Sequence, residues 1–347
     1  MRTAIGIGGP AYGRDRKWED VVTFVVEAER LGVDFAWSAE AWGMDAATSL
    51  AFVAARTSKI TLGSGIMQIS ARVPAMTAMT ALSLATMSNG RFVLGLGTSG
   101  PQVVEGLHGV PFAHGAGRLR ENVDIIRRAV RGERLEYEGR HFRLPLPGGE
   151  GKALRLSHEY RPELPIYLAT LAPRGLRLTG EVADGWLGAS FTPEHASAHL
   201  DAIAEGAGST GRELADLDLQ AGGAVAFGDD IDRLLAPRKK GLAFTLGAMG
   251  SARTNFYNDS FKRGGFEDVA VEVQKLWLDG RHDDATARVP DEMVLQTNFL
   301  GTDDMVRDRL RAHRDAGITT VRLMPDGATL DEKLTTLGRA LDLVRSL

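Results

Sequence analysis

The sequence predicts a closed parallel (β/α)8 barrel of the TIM type, and three observations carry that prediction. Short runs of β-branched and aliphatic residues alternate with segments of helical period, strand then helix, about eight times along the 347 residues. Two of the runs, 60–67 and 91–97, leave their strands through glycine-rich exits at the same end. No Pro/Ser-rich linker or composition shift divides the chain, so residues 1–347 are read as one barrel with insertions at about 133–162 and 229–293. A doubly wound open sheet is the alternative, which periodicity by itself leaves standing.

Taken in order, residues 2–8 alternate and end in the turn Gly8-Gly9-Pro10. Trp18, Val21, Val22, Val25, Val26, Ala28 and Leu31 recur at helical spacing over 17–31, and Gly32 closes that helix. Strand 33–38 and helix 46–57 follow, then the third strand, 60–67, and the helix Pro74 to Ser88, stopped by Asn89-Gly90. The fourth strand spans 91–97. A long loop over 98–116 precedes helix 118–131, and 133–162 reads as an inserted hairpin. Strand five is Leu164 to Ala169, followed by helix 173–183, strand six over 185–190 and a helix opened by Pro193. Strand seven spans 217–227 and the irregular helical stretch 229–293 is too long for a plain connection. Helix 302–316, strand 319–324 and helix 329–346 complete the pattern.

Bulk composition narrows the function. A 44% apolar and 25% charged chain supports a sizeable soluble core. A net charge of −4 supplies no footprint for nucleic acid or an anionic membrane. The absence of cysteine removes disulfides and thiolate metal sites. The apolar run at the N-terminus is too short for a secretory signal, and no window approaches the roughly twenty apolar residues that span a bilayer, so a cytoplasmic protein acting on small molecules is expected. The bias toward arginine, alanine and glycine fits a GC-rich bacterial genome.

The active face of a barrel is built at the carboxyl ends of its strands. After strand two, Glu40 offers a general acid or a hydrogen-bond acceptor and Trp42 a pocket wall; the alternative is a helix-capping carboxylate and a core indole. At the exit of strand three, small residues over Gly63 to Gly65 would let a flat ligand approach the backbone. At the exit of strand four, Gly97-Thr98-Ser99-Gly100 presents two hydroxyls and backbone N–H groups suited to a phosphate, or a plain turn. It matches neither a P-loop nor a GxGxxG fingerprint. Thr170-Leu171-Ala172 leads into a helix begun by Pro173, whose amino end is open to an anion. His108 sits in the long loop within reach of the barrel mouth. His195 and His199 are spaced for a metal but lack the following glutamate, so an exposed helix face is expected, as are solvated faces for Arg127-Arg128 and Lys239-Lys240.

Seven strings occur in order: Ala39-Glu40-Ala41-Trp42-Gly43, Leu62-Gly63-Ser64-Gly65-Ile66, Pro74-Ala75-Met76, Ser88-Asn89-Gly90-Arg91-Phe92, Leu94-Gly95-Leu96-Gly97, Ser99-Gly100-Pro101-Gln102-Val103-Val104-Glu105-Gly106 and Asn255-Phe256-Tyr257-Asn258-Asp259. Together they resemble the bacterial luciferase-like superfamily of flavin and deazaflavin oxidoreductases, in its coenzyme F420-using actinobacterial branch. The resemblance implies a deazaflavin lying across strand three on a bulge with a non-prolyl cis peptide, by position Gly65-Ile66, with Met67 and Gln68 along the ring edge. It places the coenzyme's phosphate near Gly97, Thr98, Ser99 and Gly100 and near Thr170, Leu171 and Ala172. It further implies a homodimer and hydride transfer to or from a small substrate. The alternatives are an FMN monooxygenase fed by a separate reductase, or a non-catalytic barrel that binds a flavin-like ligand.

The chain also departs from that pattern. Glu40-Ala41 stands where members using this coenzyme carry Asp-His, and Gly100-Pro101 where some carry an acid, which leaves Glu40, His108 or solvent to deliver a proton. Leu107 replaces an aromatic of related chains, and Asn255 and Tyr257 are expected to brace the 229–293 insertion.

Overall fold

The computed structural model describes residues 1–7, 17–251 and 253–347; the turn expected at Gly8-Gly9-Pro10 lies outside them. The first half of the chain runs β1 (Arg2–Ile7), α1 (Trp18–Arg30), β2 (Phe35–Ser38), α2 (Ala46–Ala54), β3 (Thr61–Ser64), β4 (Met67–Gln68), α3 (Pro74–Met87) and β5 (Phe92–Gly97). Then come α4 (Pro101–Val104), α5 (Gly115–Val130), the hairpin β6 (Tyr137–Glu138) and β7 (Arg143–Leu144), β8 (Ile166–Ala169), α6 (Pro173–Val182), β9 (Gly185–Leu187) and α7 (Ser197–Ser209). The last part holds β10 (Asp218–Phe227), five helices α8 (Ile231–Ala248), α9 (Phe256–Phe261), α10 (Glu267–Leu278), α11 (His282–Arg288) and α12 (Asp291–Thr297), then β11 (Phe299–Gly301), α13 (Asp303–Asp315), β12 (Thr320–Pro325) and α14 (Leu330–Arg345).

Eight strands pair in parallel around a closed ring, β1-β2-β3-β5-β8-β9-β10-β12 and back to β1. The doubly wound alternative is thereby excluded, since β9 pairs with β10 and leaves no free edge. Strand alternation produces two cores. Ile5, Ile7, Leu62, Leu94, Val321 and Leu323 point outward into the layer beneath the helices. Ala4, Phe35, Trp37, Val93, Tyr167 and Leu187 point inward and fill the barrel.

Local chemistry sets the helix starts. Asp45 accepts from Thr48 N at the head of α2 and Thr302 from Met305 N at the head of α13. Thr329 and Glu332 form a reciprocal capping box on α14, while Pro74 and Pro173 occupy the first turns of α3 and α6.

Several elements and residues differ from the sequence expectation. The loop 98–116 holds the one-turn helix α4, which is shorter than any periodicity window can register. Strand six ends at Leu187, and Pro193 opens a 3-10 turn over Pro193–His195 ahead of α7. The helical stretch runs on to Thr297, and β11 pairs with the far end of β10 as a three-residue strand that the sequence did not reveal. His199, expected on an exposed face, is buried against Trp186 and Phe191 with Nε2 and the Ser260 hydroxyl 2.7 Å apart. Nor is Arg127 on a free face: it donates to the Leu164 carbonyl and pairs with Asp184.

Candidate active site at the carboxyl end of the barrel

Trp37 of β2 forms the floor of the mouth. Its indole stacks on Phe35 at 5.9 Å and tilts against Tyr167 at 5.7 Å. A Cβ placed on Gly63 would come within 2.1 Å of that indole, and one on Gly65 within 3.1 Å of the Trp37 Cβ. The space vacated at Gly63 is therefore filled by tryptophan and is not open to a ligand, which corrects the expectation drawn from the sequence. Gly95 has a different cause: a Cβ there would lie 1.9 Å from the Ser64 carbonyl oxygen. The Ser64 hydroxyl donates to Gly95 O and accepts from Gly95 N, both at 2.9 Å, which clamps β3 to β5. One layer higher the interior opens. A Cβ on Gly6 or Gly100 would meet nothing within 4 Å among the described residues.

Between β3 and β4 the Gly65–Ile66 peptide is cis. Gly65 N donates to Ser38 O at 2.7 Å and Glu40 N to Ile66 O at 3.0 Å, so the loop after β2 is laced to this bulge. Ile66 packs on the inner core and covers Gly97, whose Cβ would stand 3.1 Å from it. Met67 falls on the other side of the pleat and its side chain is buried in the outer core. It therefore cannot line a ring edge in the mouth, and only its backbone remains available there. Gln68 donates from Nε2 to the carbonyls of Glu40 and Ala41, while its Oε1 is sealed and without a partner.

The Glu40 carboxylate is saturated with donors. Arg72 reaches it through Nη1 to Oε2 and Nη2 to Oε1, each at 2.7 Å, and Ala46 N and Gln68 N donate at 3.2 and 3.4 Å. The same pair raises the Arg72 pKa above its ordinary value, chiefly through the hydrogen bond to Glu40. Trp42, on the loop that Glu40 holds, is 51% exposed at the rim. His108 is exposed beyond α4, its amide bonded to Val103 O and its ring without a hydrogen-bond partner among the described residues.

At the exit of β5, the Thr98 hydroxyl donates to Ser99 O at 3.3 Å and Ser99 adopts a left-handed backbone with φ 58°. Across from it, the Thr170 hydroxyl bonds that of Thr179 at 2.7 Å, and the Thr170 carbonyl accepts from Trp186 Nε1 at 3.0 Å. The Thr170 side chain thus serves α6 and cannot hold a phosphate, contrary to expectation. The Leu171 carbonyl accepts from Arg263 Nη2 at 2.6 Å. Ala172 caps α6 without a side-chain acceptor, so the first-turn N–H groups of that helix remain to be satisfied from outside.

The helices over 231–297 approach the same rim. The Gln102 amide donates to Gly250 O, and Phe112 meets Phe256 at 6.1 Å. Asn255 does brace this unit: Oδ1 caps α9 at Tyr257 N and Asn258 N, and Nδ2 donates to Thr245 O and Leu246 O. Tyr257 stands half-buried in the first turn of α9, where burial raises its phenol pKa and the Arg322 charge opposes that shift. Arg322 rises from β12 between outward-facing Val321 and Leu323, so it points into the barrel. That signal was present in the sequence, as a lone charge inside an otherwise apolar strand. A cleft of about 960 Å³ beside this rim, at the exit of β10, carries Asp229, Asp230, Asp326, Asp331 and Glu332 against Arg233 and Arg238, an acidic lining unsuited to an anionic tail.

Comparisons with known proteins bear on the family and the fold. Residues 3–320 match the family model described as luciferase-like monooxygenase. The chain is 40% identical over 303 residues to a Mycobacterium tuberculosis protein whose name assigns it provisionally to the coenzyme F420-dependent oxidoreductases, covering 85% of this chain and 87% of that one. Its fold is similar to that of the coenzyme F420 dependent tetrahydromethanopterin reductase of Methanopyrus kandleri, with a TM-score of 0.78 at 24% identity over 99% and 97% of the two chains. It also resembles the monooxygenase RslO1 of Streptomyces bottropensis, with a TM-score of 0.70 at 20% identity over 100% and 99%.

Proposed function

This chain belongs to the luciferase-like monooxygenase family, and we propose that within it the protein is an oxidoreductase that uses coenzyme F420 to move a hydride to or from a small organic substrate. The observation that carries this reading is a pair of orphaned polar atoms beside the bulge. Trp37 Nε1 and Gln68 Oε1 are sealed from solvent with no hydrogen-bond partner, one a donor and the other an acceptor. Buried polar groups in folded proteins are almost always paired, so an unpaired donor and an unpaired acceptor beside the bulge fit a heterocycle whose polar edge completes them. The name of the Mycobacterium tuberculosis relative supports the choice of F420.

In this reading the backbone of Gly65 to Gln68 and the Ile66 side chain seat one face of the ring. Thr98, Ser99 and Gly100, with the backbone of Thr170, Leu171 and Ala172 at the head of α6, hold the phosphate. When bound, the deazaflavin supplies hydride chemistry at C5 without readily activating oxygen. Trp42 walls the substrate pocket and excludes water from that face. Glu40, with both oxygens engaged, acts as an anchor that fixes the Ala41-Trp42 loop. Proton exchange falls to His108, whose ring is solvent-accessible.

The same reading takes residues 1–347 as one barrel unit with insertions at about 133–162 and 229–293, working in the cytoplasm as a homodimer. The exposed row Met76, Met79 and Met87 on α3 supports the dimer. Among the described residues no helix is long and apolar enough to cross a membrane. The likeness to a monooxygenase makes reduced FMN the competing cofactor. Titration with F420 and with FMN, followed by fluorescence and then by oxygen uptake, separates the two. Tight F420 binding without oxygen consumption is expected; tight FMN binding with oxygen consumption sinks the proposal.

A further inference from the structure

Two arginines point into the barrel, and they are treated differently. Arg2, at the amino end, pairs with Asp218 at 2.7 Å. Asp218 also accepts from the hydroxyls of Tyr167, Thr319 and Thr320 and from Gln220 Nε2, so its acceptor capacity is spent at that end. Arg322 stands one inward position further along β12, beyond Thr320, and no carboxylate among the described residues reaches it. It donates from Nη2 to the Gly188 carbonyl, and its Nε is sealed from water without any acceptor. Its partners in register are Ala4 of β1 and Gly222 of β10, and a Cβ on Gly222 would lie 2.1 Å from the Arg322 carbonyl oxygen, so glycine there lets the two strands' backbones approach.

A desolvated guanidinium facing one neutral carbonyl is incompletely satisfied. Its planar fork matches a carboxylate through two parallel N–H···O bonds, and such bonds strengthen where water is excluded. We infer that Arg322 is the recognition residue for a carboxylate carried by the substrate.

Position in the ring assigns this anion to the substrate and not to the coenzyme. β12 lies directly opposite β5, whose exit holds Thr98 to Gly100, and across the mouth from the β3–β4 bulge. A group held at Arg322 therefore faces the open side of a ring seated on that bulge. This placement rests on the F420 reading above, whereas the carboxylate preference itself does not.

The test uses the whole protein and measures binding of acetate, butanoate and benzoate against acetamide, butanamide and benzamide by calorimetry, with and without F420. At least one carboxylate is expected to bind wild type about tenfold or more tightly than its amide. Arg322→Met should erase that preference and leave F420 affinity unchanged, and Arg322→Lys should restore part of it. The inference is overturned if no carboxylate outcompetes its amide on wild type, or if Arg322→Met keeps the preference. It is equally overturned if Arg322→Met weakens F420 as much as the carboxylate, which would assign the arginine to the coenzyme. Should Arg322→Met not fold, the Lys variant decides: an unchanged preference there refutes the inference. Failure of wild type to bind F420, with the carboxylate preference intact and dependent on Arg322, refutes the coenzyme reading alone.

Discussion

Arg72 and Glu40 meet fork to fork, with both guanidinium nitrogens 2.7 Å from separate carboxylate oxygens and the carboxylate side chain only 8% exposed. The pair ties the loop after β2 to the turn after β4, the two segments that frame the barrel mouth. Removing either partner strands the other in a half-buried site. Glu40→Gln and Arg72→Met should each lower unfolding free energy by about 3 kcal/mol, with the double variant losing less than the sum. Denaturant unfolding of the four proteins checks this, and additive losses would show that the pair does not couple.

A hydroxyl role and a backbone role can be separated at Ser99. Its φ of 58° is unfavourable for any side chain, so Ser99→Gly should stabilise the fold by about 0.5–1 kcal/mol. If the hydroxyl helps to hold the phosphate, the same variant should bind F420 about tenfold more weakly. Fluorescence titration beside thermal melts reads both effects. Unchanged affinity would leave the phosphate to backbone amides.

Acid should undermine the packing around α7 and α13. His199 and His313 are buried, and burial pushes both pKa values down from the ordinary 6.5 to about 4. The unfolded chain takes up protons near pH 6.5 and the folded chain does not. Their stabilisation is therefore complete above about pH 6.5 and is lost as pH falls toward 4, on the order of 3 kcal/mol for each residue. Melting temperatures between pH 7 and 4 should fall accordingly, and His199→Gln should flatten the slope even though it lowers the plateau.

The apolar row on α3 bears on assembly. Met76, Met79 and Met87 are 48%, 47% and 56% exposed on a helix whose other side packs on the barrel. If a second copy covers them, Met76→Glu with Met79→Glu should convert a dimer to a monomer in analytical ultracentrifugation while leaving the circular dichroism spectrum unchanged. A sedimentation coefficient that does not move would place the dimer contact elsewhere.

Much of this molecule was legible along the chain because its signals are local. The alternation of Ile5 and Ile7 with Ala4, the heptad-like row Val21-Val22-Val25-Ala28 in α1, the prolines opening α3 and α6, and Asn89-Gly90 after α3 each act within a few residues. They determined the strands, the helices and their order. Elements too short to carry a period, α4 and β11, escaped for that reason.

What the tertiary structure alone decided is how distant residues share one space. Gly63 looks like a ligand shelf until Trp37, 26 positions earlier, is seen to occupy it. Thr170 looks like a phosphate ligand until Thr179 claims its hydroxyl, and Glu40 looks like an acid until Arg72 closes on it. Only the closed ring shows that β12 turns Arg322 into the barrel, with its Nε sealed from water and without an acceptor. Hydrogen-bond capacity is finite, and only the folded chain shows which donors and acceptors have already been used and which are left for a ligand.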